Sequence, residues 1–133
     1  MDMRALLREP SCQRMLSHGN STRQLELLRL QIQAQGMLLR LHGCPVLAQG
    51  HAPAVAVSVE VANSEVASRF VRGPLADGEA VDMGSTLLGS ENGEEEYSPD
   101  VYDNRQWLAQ LMGHYGFAPV QGYWWAFRLQ TDK

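Results

Sequence analysis

The side chains of this 133-residue chain that could do chemistry are four histidines, two cysteines and several scattered serines. No serine lies in the G-x-S-x-G pattern of a nucleophile elbow. A Cys–His pair is conceivable at Cys44 and His42, because residues two apart share one face of a strand. The favoured interpretation of Cys44 is nevertheless a small buried side chain. The four histidines are His18, His42, His51 and His114. Because none of them has the close spacing of a metal motif, packing or surface roles are predicted for all four.

Composition and charge limit the classes of protein to which this chain could belong. The net charge of −4 argues against a nucleic-acid partner, because phosphates require a basic protein surface. The glutamates at positions 94–96 are interpreted as part of a solvated loop. No apolar run approaches the roughly 20 residues that cross a bilayer, so membrane insertion is not expected. The oligomeric state is left open.

The cysteines and the N-terminus bear on location. Two cysteines, Cys12 and Cys44, are too few for a disulfide scaffold and lack the spacing of metal ligands. Residues 1–10 carry charged side chains and lack the apolar stretch of a signal peptide. The sequence therefore predicts a reduced, cytoplasmic protein, with export of a leaderless chain by a dedicated system left open.

The spacing of apolar residues predicts an α+β fold in a single domain over residues 1–133, with residues 1–20 as a candidate peripheral extension. The connections are too short for a series of parallel crossovers, so an antiparallel sheet with helices packed on it fits best. Alternating valines favour a strand at Val55–Val61, although alanine-rich flanks leave a helix open there. The other predicted elements are a short helix at 3–8, a helix from Ser21 or Thr22 to Gln35, strands at 37–41 and 123–129, and a helix from Asp103 or Asn104 to Gly116. Trp107, Leu111 and Phe117 are predicted to belong to the core.

Four segments, in this order along the chain, carry a further pattern. Residues 37–45 comprise the strand predicted at 37–41 and the residues that follow it up to Pro45. Residues 68–73 read S-R-F-V-R-G, and residues 82–85 read D-M-G-S. The helix at 104–117 ends in Gly-Phe and is followed by G-Y-W-W-A-F at 122–127. Together these segments resemble the zinc D-alanyl-D-alanine dipeptidases of the vancomycin-resistance type, whose corresponding motifs are Y-R-P, S-R-H-S-R-G, D-M-G-T and G-E-W-W-H-F. The resemblance implies a DD-peptidase/Hedgehog-like core.

The resemblance also implies a site that this chain has lost. In the family, two histidines and an aspartate bind zinc, a glutamate is the general base, and an arginine stabilises the oxyanion. In one register of the comparison, Phe70 aligns with the first histidine and Asp77 with the aspartate. In a second register, Leu75 aligns with this histidine and Asp82 with the aspartate, and the choice between the two registers stays open. The other degenerate positions are Tyr123 at the base, Ala126 at the second histidine and Cys44 at the arginine.

The loss of these groups predicts a pseudoenzyme that binds a protein or peptide as an adaptor or accessory subunit, with no metal and no cofactor. The expected binding residues are Phe70, Tyr123 and whichever of Trp124 and Trp125 faces outward, because aromatic side chains dominate protein interfaces. Two alternatives remain. One is a residual hydrolase that uses Asp77 or Asp82 with a shifted histidine, and the other is a protein that binds a D-amino-acid dipeptide without cleaving it.

Overall fold

The computed structural model describes residues 3–17, 19–47, 53–84 and 98–130. They form an α+β domain with one four-stranded antiparallel sheet of order β1-β2-β4-β3, as the sequence predicts. The glutamates at 94–96, His18 and His51 lie outside the described residues. The elements are α1 (Met3–Leu6), α2 (Pro10–Met15), α3 (Ser21–Ala34), β1 (Met37–Gly43), β2 (Val55–Val61), α4 (Ser64–Ala67), α5 (Pro99–His114), β3 (Phe117–Pro119) and β4 (Ala126–Leu129).

The main core lies between one face of the sheet and the helices. The strand predicted at Val55–Val61 is confirmed, and its alternate valines all point into this core. Burying one such aliphatic side chain stabilises the fold by about 1.5–3 kcal/mol, which is why a two-residue period is maintained along β2. The valines pack with residues of β1, α3, α5 and β4, which include Met37, Leu39, Leu41, Leu25, Leu28, Ile32, Leu108, Met112 and Phe127.

Helix α3 ends where the sequence predicts, but its predicted cap is wrong. Asn20 occupies the N-cap position without a side-chain cap bond, and the Ser21 hydroxyl donates to the carbonyl of Leu16 at 2.8 Å. Gly36, with φ +85°, follows the helix. A Cβ at this position would lie 2.9 Å from the backbone of both Asn63 and Ala67, so only glycine lets the chain pass α4 here.

Helix α5 begins earlier than predicted, at Pro99 rather than at Asp103 or Asn104. Ser98 is its N-cap, whose Oγ accepts from Val101 N at 3.4 Å, and proline suits the first turn because its missing N–H needs no partner. Short polar side chains are common caps, so the sequence alone could not tell Ser98 from the residues five and six positions later.

The C-terminal third also differs in its strands and its core. Residues 123–125 are not part of a strand, with turns at 121–122 and 124–125, so β4 is shorter than the strand predicted at 123–129. The three residues of β3 were too few to give a periodic signal. Phe117 is fully buried as predicted, whereas Trp107 and Leu111 are half-buried at the margin of the core. The indole N–H of Trp107 donates to Gln35 Oε1 at 3.1 Å, which satisfies the polar atom of this partly buried ring.

The N-terminal residues are part of the core and not a peripheral extension. The short helix predicted at 3–8 is α1, which ends at Leu6, Pro10 starts α2, and Leu6 and Cys12 are fully buried. Cys12 forms a disulfide with Cys44 at the end of β1, so the prediction of reduced cysteines is wrong. The spacing of 32 residues gives no indication that the two sulfurs meet. Within the described parts of the chain, no helix is long and apolar enough to cross a membrane.

Candidate functional site

The face of the sheet that points away from the main core, here called the outer face, has two unlike halves. Side chains alternate along each strand, so the residues between the core valines of β2 reach this face. Over β2 and β4 the outer face is covered by the aromatic cap, defined as Tyr123, Trp124 and Trp125. Over β1 and β2 it carries the polar row, defined as Arg40, His42, Ser58 and Glu60.

The aromatic cap covers a second, smaller apolar cluster. Trp125 is 1% exposed and lies over Ala54, Ala56 and Ala126, whose small side chains leave room for the indole. Tyr123 packs edge-to-face on Trp125, with the ring centroids 5.1 Å apart and the planes at 65°. Tyr123 and Trp124 both remain half-buried, and Trp124 contacts both clusters, so the cap offers two partly open aromatic rings, of which Tyr123 is supported by Trp125.

The polar row joins β1 to β2 by two side-chain contacts. Arg40 donates to Glu60 Oε1 at 2.7 Å, and His42 Nε2 lies 2.8 Å from Ser58 Oγ. Arg40 is also directly opposite Ser58 in the strand register. Ser58 lies two residues from Ala56 on the same face of β2, about 7 Å along the strand, so the polar row borders the aromatic cap.

His42 does not form the conceivable pair with Cys44, because that thiol is consumed in the disulfide and the ring contacts Ser58 instead. Although part of the side chain is exposed, partial burial lowers the pKa of His42, and the nearby positive charge of Arg40 lowers this pKa further. A lowered pKa favours the neutral ring, which can exchange hydrogen bonds with Ser58 in either tautomer.

The His42 pKa makes stability depend on pH. Because the pKa of His42 in the folded protein lies below the ordinary histidine value of 6.5, the unfolded chain binds this proton more readily as the pH falls through 6.5, and stability is lost there. We therefore expect the urea midpoint to fall between pH 7.5 and pH 5.5, and His42→Asn to reduce this fall. His114→Asn, which changes an exposed histidine on α5, is the control and should leave the fall unchanged. An equal fall in all three proteins would contradict the assignment.

The degenerate positions named from the sequence are dispersed among structural roles. Cys44 is in the disulfide, and Phe70 follows α4 with 40% of its side chain exposed. Asp77 Oδ1 accepts the backbone N–H of Ser64 at 2.8 Å, so this carboxylate caps the start of α4. Ala126 is fully buried beneath the cap, and Tyr123 belongs to the cap itself. Of the candidate residues, the structure brings together Tyr123, Trp124, Trp125 and Ala126.

The residues of the second register lie close to a segment that runs beside the C-terminal half of β2. Residues 78–81 run antiparallel to β2, with Val81 N donating to Val59 O at 3.0 Å. Leu75 is half-buried and Asp82 is exposed, and Asp82 Oδ1 accepts the N–H of Gly84 at 3.1 Å. Neither register supplies a ligand set, because an aromatic or aliphatic side chain and an alanine replace the imidazoles that zinc requires. Across the described residues, no group of three or more histidines, cysteines, aspartates and glutamates could hold a metal ion.

Two features of the outer face and its supports were missed by the sequence analysis. The polar row was visible in principle, because Arg40 and His42 alternate with the apolar residues of β1, as Ser58 and Glu60 alternate with the valines of β2. Asn104, predicted as a possible cap, is instead fully buried within α5. No local pattern reveals such a role, because its partners lie more than twenty positions away along the chain.

Comparison with known proteins finds no protein-family model, no curated protein and no solved structure that matches the chain. The resemblance to the zinc dipeptidases therefore rests on the four sequence segments, and membership of that family stays a proposal. The α+β architecture alone does not define a function, because one fold hosts many activities.

Proposed function

We propose that this chain is a pseudoenzyme on a dipeptidase-like, DD-peptidase/Hedgehog-like scaffold, and that it binds a protein or peptide segment on its outer face. The observation that carries the proposal is the partly exposed ring of Tyr123, which packs on the buried Trp125 within the aromatic cap that borders the polar row. A rigid aromatic ring with a polar surround is typical of the residues that dominate binding energy at interfaces. The chain would then act as an adaptor or accessory subunit.

The roles of the degenerate positions support binding rather than hydrolysis. Cleavage of a dipeptide on the family's pattern needs zinc, a general base and a polar group for the oxyanion. Asp77 is held by the backbone at α4, and Cys44 is covalently tied to Cys12. Restoring a histidine at Ala126 would force an imidazole into a space that is fully buried under the cap. These positions now serve the fold.

The chemistry of the polar row favours an extended peptide as the ligand. The row carries one positive and one negative side chain, Arg40 and Glu60, and each is partly exposed. His42 and Ser58 add hydrogen-bonding groups. These groups can pair with the polar atoms of a bound backbone, while Tyr123 contacts an apolar side chain of the ligand. The mixed charge gives no preference for a strongly acidic or strongly basic ligand.

The disulfide is the basis for the cellular compartment that we propose for the chain. The cytoplasm was predicted on the basis of free cysteines, but disulfides are rare in reducing compartments and persist in oxidising ones. We therefore propose that the chain works in an oxidising compartment or outside the cell, which is compatible with the dedicated export left open by the sequence.

The test of the proposal is a selection of displayed random peptides on the oxidised protein, followed by titration of the selected peptides. Tyr123→Ala is expected to weaken binding at least tenfold, about 1.4 kcal/mol, because it removes the aromatic anchor. Tyr102→Ala, which removes a 49% exposed aromatic ring from α5, is the matched control and should bind as the parent does. Equal affinity for all three proteins would place the binding surface elsewhere.

A further inference from the structure

We propose that the Cys12–Cys44 disulfide is a redox latch: its reduction releases α1 and α2 from the sheet while α3, α5 and the sheet stay folded. The inference does not depend on the proposed binding function. It rests on how the N-terminal helices are held, on where their attachment to α3 begins, and on the position of Cys44 at one margin of the sheet.

The N-terminal helices have little stability of their own. Helix α1 has four residues and α2 has six, well below the ~12–15 residues at which isolated helices become marginal in water. Their attachments to the rest of the domain include the packing of a few apolar side chains and one covalent bond. Leu6 and Cys12 are fully buried, and Met15 is 4% exposed. Without the disulfide, the remaining non-covalent contacts, among them the packing of these few side chains, must offset the entropy of ordering the segment.

The releasable segment has a defined end at Leu16. The hydroxyls of Ser21 and Thr22, at the start of α3, both donate to the carbonyl of Leu16, at 2.8 and 3.3 Å. These bonds do not involve the disulfide, so they persist when it is reduced. Release therefore applies to residues 3–15, and Leu16 stays anchored to α3.

The surface that the latch covers belongs to an edge strand. In the sheet order β1-β2-β4-β3, β1 pairs only with β2, and α1 packs against β1. Cys44 lies just beyond β1 and is 4% exposed, and Glu9 approaches the same end of the strand, with Oε1 3.2 Å from the place of a Cβ on Gly43. Opening the latch would uncover this end of β1 and the apolar residues beneath α1 and α2.

The chemistry of the latch is thiol–disulfide exchange. A thiolate attacks one sulfur, a mixed disulfide forms, and a second thiol of the reductant resolves it, which yields the Cys12 and Cys44 thiols and oxidised dithiol. Closure is the reverse reaction, in which the disulfide of a small molecule or of a thiol oxidoreductase accepts the two electrons. Because both cysteine sulfurs belong to buried residues, attack requires a transient local opening of α2.

The latch can be tested by limited trypsin digestion of the oxidised protein and of the same protein reduced and alkylated. We expect reduction to raise the rate of cleavage after Arg8 and Arg14 at least tenfold, because both lie in the released segment. Cleavage after Arg105, in the middle of α5, should keep its original rate. The double variant Cys12→Ser/Cys44→Ser should behave as the reduced protein does, with or without reductant.

Two results would overturn the proposal. Unchanged cleavage after Arg8 and Arg14 would mean that packing alone holds the helices in place. An equal rise at Arg8, Arg14 and Arg105 would mean that the disulfide holds the whole fold rather than the N-terminal helices. Hydrogen exchange measured by mass spectrometry on the reduced protein distinguishes the same cases without a protease, since only peptides from residues 3–15 should gain deuterium faster.

Discussion

Replacing both Cys12 and Cys44 by alanine is expected to lower the free energy of unfolding by about 4 kcal/mol, because their disulfide closes a long loop. The two cysteines are separated by 32 positions, and the bond removes much of the freedom that this segment would have in the unfolded chain. The effect is large for a domain whose total stability is on the order of 5–15 kcal/mol. Urea unfolding under non-reducing conditions measures it.

The control for the disulfide variant is the parent protein in excess reductant. It should unfold at nearly the same urea concentration as the double alanine variant, and the variant itself should not respond to reductant. A variant as stable as the oxidised parent would show that the bond adds no stability to the fold.

Asn104→Ala is expected to have the second largest effect, a loss of about 3 kcal/mol, because it leaves several buried polar groups without partners. Asn104 is fully buried, and its Oδ1 accepts the N–H of Arg72 at 2.7 Å. Its Nδ2 donates to the carbonyls of Arg72 and Asp82, at 3.1 and 3.0 Å. One side chain thus attaches two stretches of loop to α5, and no alanine can replace those bonds.

The measurement for Asn104→Ala is again a urea melt. The matched control is Asp103→Ala, which changes the preceding residue of the same helix. Asp103 is exposed, so its replacement should change the free energy of unfolding by no more than about 0.5 kcal/mol. Similar stability of the two variants would mean that water substitutes fully for the amide and that Asn104 does not hold the loops.

The sequence predicted the elements that repeat a pattern over several residues. The alternate valines of Val55–Val61 and the apolar positions of α3 follow the periods of a half-buried strand and an amphipathic helix, because each such element has one buried face. Helix α3 also ends where expected, since the left-handed Gly36 that follows it does not continue the helix and clears α4. The antiparallel sheet then followed from the short connections.

What the sequence could not predict depends on contacts between distant residues. The disulfide joins α2 to the end of β1, and Asn104 joins α5 to loops more than twenty residues earlier. For the candidate site, position-by-position comparison named the residues of the aromatic cap, but it could not reveal that Trp125 and Ala126 are buried while Tyr123 stays partly open. Which of the two tryptophans faces solvent depends on the turns at 121–122 and 124–125, and these turns have no periodic signal.

The most direct test of the central claim, that the chain binds rather than hydrolyses, is to incubate the oxidised protein with D-Ala-D-Ala and added Zn²⁺. Released D-alanine and protein-bound metal are measured on the same sample, the metal after mild chelation. The structural roles of Cys44, Asp77 and Ala126 predict no D-alanine above the protein-free control and no stoichiometric zinc. Heat from D-Ala-D-Ala binding without release of D-alanine would support the dipeptide-binding alternative. One retained zinc per chain together with catalytic release of D-alanine would contradict the account.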